Sequence, residues 1–195
     1  GMDAVKDFAR SGGTHLLVVN KPSWNLDVDP DAGDDFRPVF EHTIDVVDRA
    51  STHLDGTAWP ILGVHPGLVS RLVDDRGMDP ETAADVMRSG LEVAAEYVAD
   101  GRALGLKSGR PHYEVSDAVW NASNNVMRRA FELGADLDCA VQLHAEGDDD
   151  LTDITETAAE VGLPRERVVK HYASGDLEGP IPSVMCRKEW LERAA

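Results

Sequence analysis

Lysine, cysteine and aromatic residues are all scarce in this sequence of 195 residues. Only 5 lysines and 14 arginines face 23 aspartates and 13 glutamates, which gives a formal net charge of -17. Without a basic stripe to displace counterions from phosphates, the composition argues against an extended nucleic-acid-binding surface. The two cysteines, Cys139 and Cys186, lie in apolar runs without CxxC spacing. We therefore predict no disulfide framework or zinc knuckle, and expect two small core residues in a reducing compartment.

Long apolar runs and glycine-rich phosphate loops are also missing. No segment has the length of a membrane span, and the first residues show no secretory signal pattern, so we expect a cytoplasmic protein with no membrane partner. Neither G-x-G-x-x-G nor a P-loop follows a strand, which disfavours a nucleotide-binding open sheet. No internal repeat divides the chain, and we predict a single domain over 1–195. The sequence leaves the oligomeric state open.

The acidic residues are spread over turns and helix faces, with the densest runs at "DVDPDAGDD" and "EGDDDLTD". Excess aspartate with little lysine is typical of proteins that stay soluble in concentrated salt, where screening removes the self-repulsion of such a charge. We therefore expect a halophilic source. An ordinary acidic cytosolic protein is the alternative, because net charge informs on solubility and not on fold.

Six short apolar runs alternate with helical stretches and predict an α/β fold. Most runs have consecutive apolar residues, which is typical of parallel strands covered by helices. The predicted strands are 14–20, 59–66, 102–109, 139–146, 167–173 and 181–187. The predicted helices are 2–13, 79–101 with Asp79 as N-cap, 116–137 beginning at Ser116, 150–162 and 187–195. Such alternation indicates right-handed βαβ units and therefore an open doubly wound sheet or a (β/α) barrel, and the missing phosphate loop favours the barrel.

Four of the predicted strands end in a single titratable residue within an apolar run. These residues are His65, Lys107, His144 and His171. In a parallel barrel the carboxyl ends of all strands open on one face, so groups far apart in sequence converge there. A single histidine at a strand end is usually a packed core or loop residue. Several neutral imidazoles on one face are what Zn²⁺ or Mn²⁺ coordination needs, and a bound ion activates water as a nucleophile.

The ordered motifs "GVHP", "LKSG", "VQLHAE" and "VVKHYAS" resemble those of the TatD-related metal-dependent hydrolases of the amidohydrolase superfamily. The continuation "GRPHY" is similar to the archaeal branch of that family, and with the acidic surface it points to haloarchaea. The likeness covers nearly the whole chain. It implies a (β/α)8 TIM-type barrel with one or two divalent ions, Zn²⁺, Mn²⁺ or Mg²⁺, at its carboxyl-terminal mouth. The implied substrate is a small-molecule or nucleic-acid phosphodiester, or a related bond, attacked by activated water.

The resemblance also implies roles for individual residues. By match, His144 and His171 stand where the family has histidine ligands on its fifth and sixth strands, and His65 stands as a group lining the site. Lys107 stands where most relatives place a metal-bridging glutamate. The family's HxH pair on the first strand and metal-binding aspartate on the last have no counterpart here. We therefore expect a barrel that is incomplete in this chain, with about strands 2 to 7, truncated at both ends.

Lys107 has four interpretations, because a lone buried ammonium is unfavourable unless it is neutralised or used. The leading one is carboxylation to a carbamate that bridges metals, which makes Lys107 both a metal ligand and a catalytic residue. The ammonium could instead bind a substrate phosphate or carboxylate. A Schiff-base nucleophile would define a lyase or aldolase. The alternative without a functional role is an ion pair of Lys107 with Glu114 or Glu146 at the rim.

The remaining candidates lie in the loops after the strands. Arg110 and His112, with Tyr113, could hold an anionic substrate or simply pack the loop. Glu146 is a candidate general base or partner of a metal ligand, although an acid on so acidic a protein is usually only solvated. Asn20 ends the first strand and is predicted to line the mouth.

A third class of function is a barrel remnant without catalysis. Two histidines and one modified lysine make an incomplete metal site, whose other positions water or buffer would fill. The four tryptophans form no regular stripe and are most simply core or rim packing.

Overall fold

A parallel β-sheet forms the centre of the structure, a computed structural model that describes residues 1–173, 175–189 and 192. Its six strands are β1 (Leu16–Val19), β2 (Ala58–Gly63), β3 (Gly105–Gly109), β4 (Ala140–His144), β5 (Val168–Ala173) and β6 (Ile181–Val184). They lie side by side in chain order, and every neighbouring pair is parallel. All six predicted strands are present, and together they form a TIM-like half-barrel, so the predicted α/β class is confirmed.

Helices precede the first strand and connect most of the others. They are α1 (Met2–Arg10), α2 (Arg37–Ser51), α3 (Gly67–Ser70), α4 (Pro80–Ala99), α5 (Asp117–Asp136) and α6 (Thr152–Glu160). A π-helical turn, Arg71–Asp75, continues α3. The predicted caps are confirmed: Asp79 accepts hydrogen bonds from the backbone N–H groups of Glu81 and Thr82, and Ser116 accepts one from Val119. The predicted helix over 187–195 lies largely outside the described residues, and so does Trp190.

Helix α2 was not predicted. Its buried residues Val39, Phe40, Thr43 and Val47 have helical spacing. Several of them are β-branched, and β-branched side chains have low intrinsic helix propensity because χ1 is restricted in a helix. Packing of this face against β2 and the turn Gly33–Phe36 therefore outweighs a weak local preference.

The main hydrophobic core lies on the helix-covered face of the sheet. Leu106, Val141, Leu143 and Val168 each have 0% exposure and pack there. Because side chains alternate along a strand, their neighbours in sequence point to the opposite face, which is the inner face of the half-barrel. Lys107 and His144 are such neighbours.

The two cysteines differ in their surroundings. Cys139 is buried, as predicted, but Cys186 is exposed because β6 ends at Val184 and not within the predicted run to 187. Both are free thiols. Among the described residues, no helix combines the length and the apolar character needed to cross a bilayer.

Candidate functional site

The strand register brings the predicted site residues to the inner face of the half-barrel. Lys107 lies opposite Gln142, and Gly109 lies opposite His144. Residues two apart on a strand share a face, so Lys107 and His144 both lie on the inner face, and His144 is one pleat nearer the carboxyl ends. His171 is two residues after Val169, the partner of Gln142 in the register, and joins the same face.

Four histidine rings form a contiguous group at this edge, which we call the histidine cluster: His65, His112, His144 and His171. His144 is central, with its ring centroid 4.7 Å from those of His65 and His112 and 4.9 Å from that of His171. Its Nδ1 shares a hydrogen bond of 2.6 Å with His171 Nε2, and its Nε2 one of 3.1 Å with His112 Nδ1. The Gly67 N–H donates to His65 Nδ1 at 3.1 Å, so the neutral His65 ring carries its proton on Nε2.

Burial keeps three members of the cluster, His65, His144 and His171, unprotonated near neutral pH. It lowers the pKa of His65 to about 3, and the neighbouring Lys107 and histidines add to the effect. Burial also lowers the pKa of His144 and of His171 to about 4, with smaller contributions from nearby cationic groups. Neutral imidazole is the protonation state that binds a metal ion, so this environment favours ligation over protonation at neutral pH.

Lys107 is buried beneath the cluster, with 5% of its surface exposed. Burial lowers the pKa of its ammonium to about 8. Its Nζ donates to the backbone carbonyl of Asn20 at 3.3 Å. Among the ion pairs of the described residues, none joins Lys107 to Glu114 or Glu146. At physiological pH a fraction of the amine is therefore neutral, which is the state that carbamate formation or attack on a carbonyl requires.

Asn20 holds the ends of β1 and β2 together and does not present its amide to the mouth. Its Nδ2 donates to the carbonyls of Gly63 and Lys21, both at 3.0 Å, and its Oδ1 accepts from the Gly63 N–H at 2.9 Å. Only its backbone carbonyl, which accepts from Lys107, reaches toward the cluster. This geometry gives Asn20 a positioning role. Both the nitrogen and the oxygen of its amide are already hydrogen-bonded, and substrate binding by this side chain stays a prediction.

Arg110 and Glu146 form an ion pair beside the cluster, with Arg110 buried and Glu146 partly buried. Arg110 Nε donates to Glu146 at 2.8 Å, and its Nη1 donates to Asp153 of α6 at 2.5 Å. The guanidinium also lies over the Trp120 ring, 4.9 Å from its centroid. The side chains of Arg110 and Glu146 are only 7% and 19% exposed. In this structure neither group is free for substrate or for proton transfer, so their predicted roles require the pair to open.

His112 and Tyr113 lie in the exposed loop after β3. His112 belongs to the histidine cluster, whereas the Tyr113 hydroxyl shares a hydrogen bond of 2.8 Å with Ser70 Oγ. These hydrogen bonds attach the loop to β4 and to α3, and the role of His112 and Tyr113 in holding an anionic substrate stays a prediction.

The donor set fits a divalent metal ion in kind but supplies only part of a coordination shell. His144 and His171 offer neutral nitrogens, and Lys107 could add a carbamate oxygen. Within the residues that the structure describes, no three His, Cys, Asp or Glu side chains are arranged to hold a metal ion. The 2.6 Å between His144 Nδ1 and His171 Nε2 is shorter than the roughly 3.3 Å expected for two nitrogens on one tetrahedral zinc.

Two features near the site were not predicted. Lys170, next to His171, is 4% exposed, and its Nζ donates to the His171 carbonyl at 2.7 Å. The lysine within the apolar run "VVKHYA" was the available signal. Gly109 has φ +149°, and a Cβ there would collide with the His144 carbonyl oxygen, so glycine permits β3 to approach β4. The available signal was the glycine of "LKSG".

The sequence profile of a family described as TatD related DNase matches residues 1–180. An uncharacterised protein of Methanocaldococcus jannaschii, MJ1127, is 31% identical over 194 residues, which cover 94% of this chain and 65% of that protein. The chain therefore spans about two thirds of the length of this relative.

Among solved structures, a mutant organophosphorus hydrolase superposes with a TM-score of 0.52 at 12% identity, over 88% of this chain and 46% of its own. A second mutant organophosphorus hydrolase, from Deinococcus radiodurans, gives a TM-score of 0.48 at 12% identity, over 82% of this chain and 56% of its own. The first likeness shows a shared fold.

Proposed function

The chain belongs to the TatD-related DNase family, and on that premise we propose that it is a divalent-metal-dependent hydrolase acting on a phosphodiester or related bond. The observation that carries the proposal is the convergence of the histidine cluster over a buried Lys107 at the carboxyl ends of parallel strands. We propose that β1–β6 correspond to strands 2 to 7 of a (β/α)8 barrel. In such a barrel, this edge carries the chemistry.

In this proposal His144, His171 and Lys107 hold one or two ions, Zn²⁺, Mn²⁺ or Mg²⁺. A bound divalent ion supplies a Lewis acid for a phosphoryl oxygen and lowers the pKa of water. His65 and His112 flank His144 and orient the substrate. His65 Nε2–H is the fixed donor, because Nδ1 already accepts from Gly67. The Arg110–Glu146 pair borders the same edge, and a substrate anion that binds Arg110 would free Glu146 to accept a proton.

Carboxylation of Lys107 is supported by its surroundings. Carbamate formation needs the unprotonated amine, and burial lowers the Lys107 pKa to about 8. The neutral amine nitrogen bonds to the carbon of CO₂ and releases one proton. Starting from the ammonium, two protons are released in all, so a cationic side chain becomes an anion. A metal ion would then offset the new charge, and a carbamate would stand where most relatives have a glutamate.

The same observation supports a Schiff-base lyase as a second candidate. A desolvated lysine of lowered pKa can attack a carbonyl and release water after proton transfer. Borohydride reduction in the presence of pyruvate, followed by peptide mass spectrometry, separates the two candidates. A covalent adduct at Lys107 supports the lyase. The absence of an adduct argues against a lyase that acts on pyruvate.

The proposed hydrolase can be tested by measuring the metal content of the protein. Plasma mass spectrometry is applied to protein purified in high salt with bicarbonate. Wild type is compared with His144→Ala and Lys107→Ala, and with two controls at exposed positions away from the site, His53→Ala and Lys6→Ala. Near-stoichiometric zinc or manganese in the wild type and both controls, lost in the two site variants, is the expected result. A metal-free wild type removes the proposal and leaves the lyase or the non-catalytic remnant.

The remaining proposals concern substrate, surroundings and source. A small-molecule or single nucleic-acid phosphodiester suits a surface of charge -17 better than extended nucleic acid does. We propose the cytoplasm as the compartment, because Cys139 and Cys186 are both free thiols. The acidic surface supports a halophilic source.

A further inference from the structure

Tyr172 interrupts the pairing of β5 with β6 directly after His171. His171 lies opposite Ser183 and Ala173 opposite Val184, so Tyr172 is an extra residue in β5. Its φ is +52°, in the left-handed region. Bulges are rare in parallel pairs, and bulged residues with positive φ are usually glycine. A bulge changes the direction of the side chains beside it. Because His171 directly precedes Tyr172, this bulge affects the orientation of a member of the histidine cluster.

The backbone of Tyr172 is therefore strained, and the neighbouring sequence does not account for this conformation. A bulky residue with a Cβ in the left-handed region is an outlier, whereas glycine or asparagine would relieve the strain. Residues held in such conformations concentrate at functional sites, so the outlier directs attention to the side chain.

The Tyr172 side chain is exposed at the site. It is 63% exposed, and its ring centroid lies 4.6 Å from that of His171. Both rings line a cavity of about 230 Å³ together with Gln142, Ser183, Val184 and Met185. In the same cavity wall, Gln142 Oε1 is buried and has no hydrogen-bond partner among the described residues. An exposed aromatic ring thus borders an open space beside His171.

We propose that Tyr172 is a specificity-determining residue whose ring stacks on a planar aromatic group of the substrate, held next to His144 and His171. This inference rests on the proposed hydrolase, because it assigns the neighbouring cavity to that enzyme's substrate. A nucleobase and an aryl leaving group share the required chemistry. Stacking also suits an acidic protein, because it adds affinity without basic side chains.

The test is equilibrium binding by titration calorimetry with metal-free protein in EDTA and 1 M KCl, so that neither hydrolysis nor long-range repulsion enters. One probe pair is pentathymidylate and an abasic pentamer of the same charge. The other is p-nitrophenyl phosphate and methyl phosphate. The wild type is expected to prefer the aromatic member of at least one pair by about fivefold or more, the lower end of stacking on one aromatic side chain. A preference within the first pair identifies a base, and one within the second pair alone identifies an aryl group.

The variants separate the ring from the backbone. Tyr172→Phe should retain the preference, and Tyr172→Gly should reduce it to less than twofold without lowering the melting temperature, since glycine relieves the strain. Tyr172→Asn, which also tolerates positive φ, serves if the glycine variant misfolds. Asp138→Gly is the matched control: Asp138 has φ +50° away from the site, so relief of strain there should leave the preference unchanged.

Three results overturn the proposal: no aromatic preference in the wild type, a preference that survives in Tyr172→Gly and Tyr172→Asn, or an equal loss in Asp138→Gly. Because binding is measured without metal, these results are independent of the metal content that tests the hydrolase. A metal-binding wild type without aromatic preference rejects the stacking role alone, and a metal-free wild type rejects the hydrolase.

Discussion

The histidine cluster couples the protonation state of single residues to the stability of the fold. His65 has a pKa of about 3 in the folded chain, well below the ordinary histidine value of 6.5. As pH falls below 6.5, the unfolded chain binds a proton that folded His65 does not bind. The unfolded state is then favoured, so the free energy of unfolding decreases as pH falls from about 6.5 toward 3.

His65→Gln should therefore reduce the pH dependence of stability. Glutamine can still accept from Gly67 but does not titrate. In EDTA, the free energy of unfolding from urea titrations between pH 6.5 and 4.5 should fall less steeply than in the wild type, by up to about 1.4 kcal/mol per pH unit. His53→Gln, at an exposed position, should keep the wild-type slope. Equal slopes for His65→Gln and wild type would show that His65 is protonated in the folded protein.

Asn20 offers a second test at the scale of one residue. Asn20→Ala removes three hydrogen bonds and leaves the Gly63 N–H and carbonyl without side-chain partners. Buried polar groups without partners cost about 1–3 kcal/mol each, so we expect a loss of about 2 kcal/mol or more in urea unfolding. The exposed Asn25→Ala is the control, with a change within about 0.5 kcal/mol. A loss as small as that of the control would mean that water replaces the amide.

The sequence predicted which residues lie at the mouth better than it predicted what each one does. Strand-end position alone places His65, His144 and His171 on one edge. The second partner of Arg110 could not be predicted from strand-end position, because Asp153 lies in α6, 43 residues later. The strained conformation of Tyr172 depends on the register of β5 against β6 and leaves no mark in composition.

At the scale of elements, the approach of β3 to β4 depends on Gly109. Alanine there would force a Cβ against the His144 carbonyl oxygen, which accepts from the Arg110 N–H at 3.1 Å. It would also adopt a φ of +149°, and a strained backbone conformation alone costs about 1–3 kcal/mol. The two strands that carry Lys107 and His144 would separate.

Gly109→Ala should lower the free energy of unfolding by more than the backbone strain alone, measured in urea, and should reduce bound metal in the assay described above. Gly147→Ala is the matched control, since a Cβ at Gly147 meets nothing within 4 Å and its φ is not in the left-handed region. Its stability should stay within about 0.5 kcal/mol of wild type. If both variants behave alike, the close strand approach is not needed for the site.

The helices and strands were predicted correctly where burial and the local secondary-structure preference of the residues agree. The six strands lie within short apolar runs, and the apolar residues of these runs that face the helices, such as Leu106 in β3 and Val141 in β4, are fully buried. Helix α2 was missed because Thr43 and Val47 favour strands locally while packing requires a helix. The predicted end of the last strand was wrong: β6 stops at Val184 rather than at 187, since no ladder partner continues the run.

For the whole molecule, charge is the dominant feature. A net charge of -17 on 195 residues repels itself in the folded state more than in the expanded chain, because folding brings the charges closer together. Ion pairs at the surface, such as Arg88 with Glu81 and Arg129 with Glu92, offset little of this repulsion, since exposed pairs contribute about 0–1 kcal/mol each. Stability should therefore depend on ionic strength.

We expect the melting temperature to rise with KCl, with most of the screening effect between 0.05 and 0.5 M, where the Debye length falls from above 10 Å to below 8 Å. Replacing the exposed acids Asp45, Asp48 and Asp55 by asparagine should raise the melting temperature at low salt and weaken its dependence on KCl. Thr52→Asn, a neutral change at an exposed position of the same region, should leave both unchanged. Scanning calorimetry measures all three proteins. Repulsion that limits folding must weaken when charges are removed or when salt shortens the distance over which they act. A melting temperature that does not respond to salt, or that responds equally in the triple variant, would therefore mean that the acidic surface serves solubility alone.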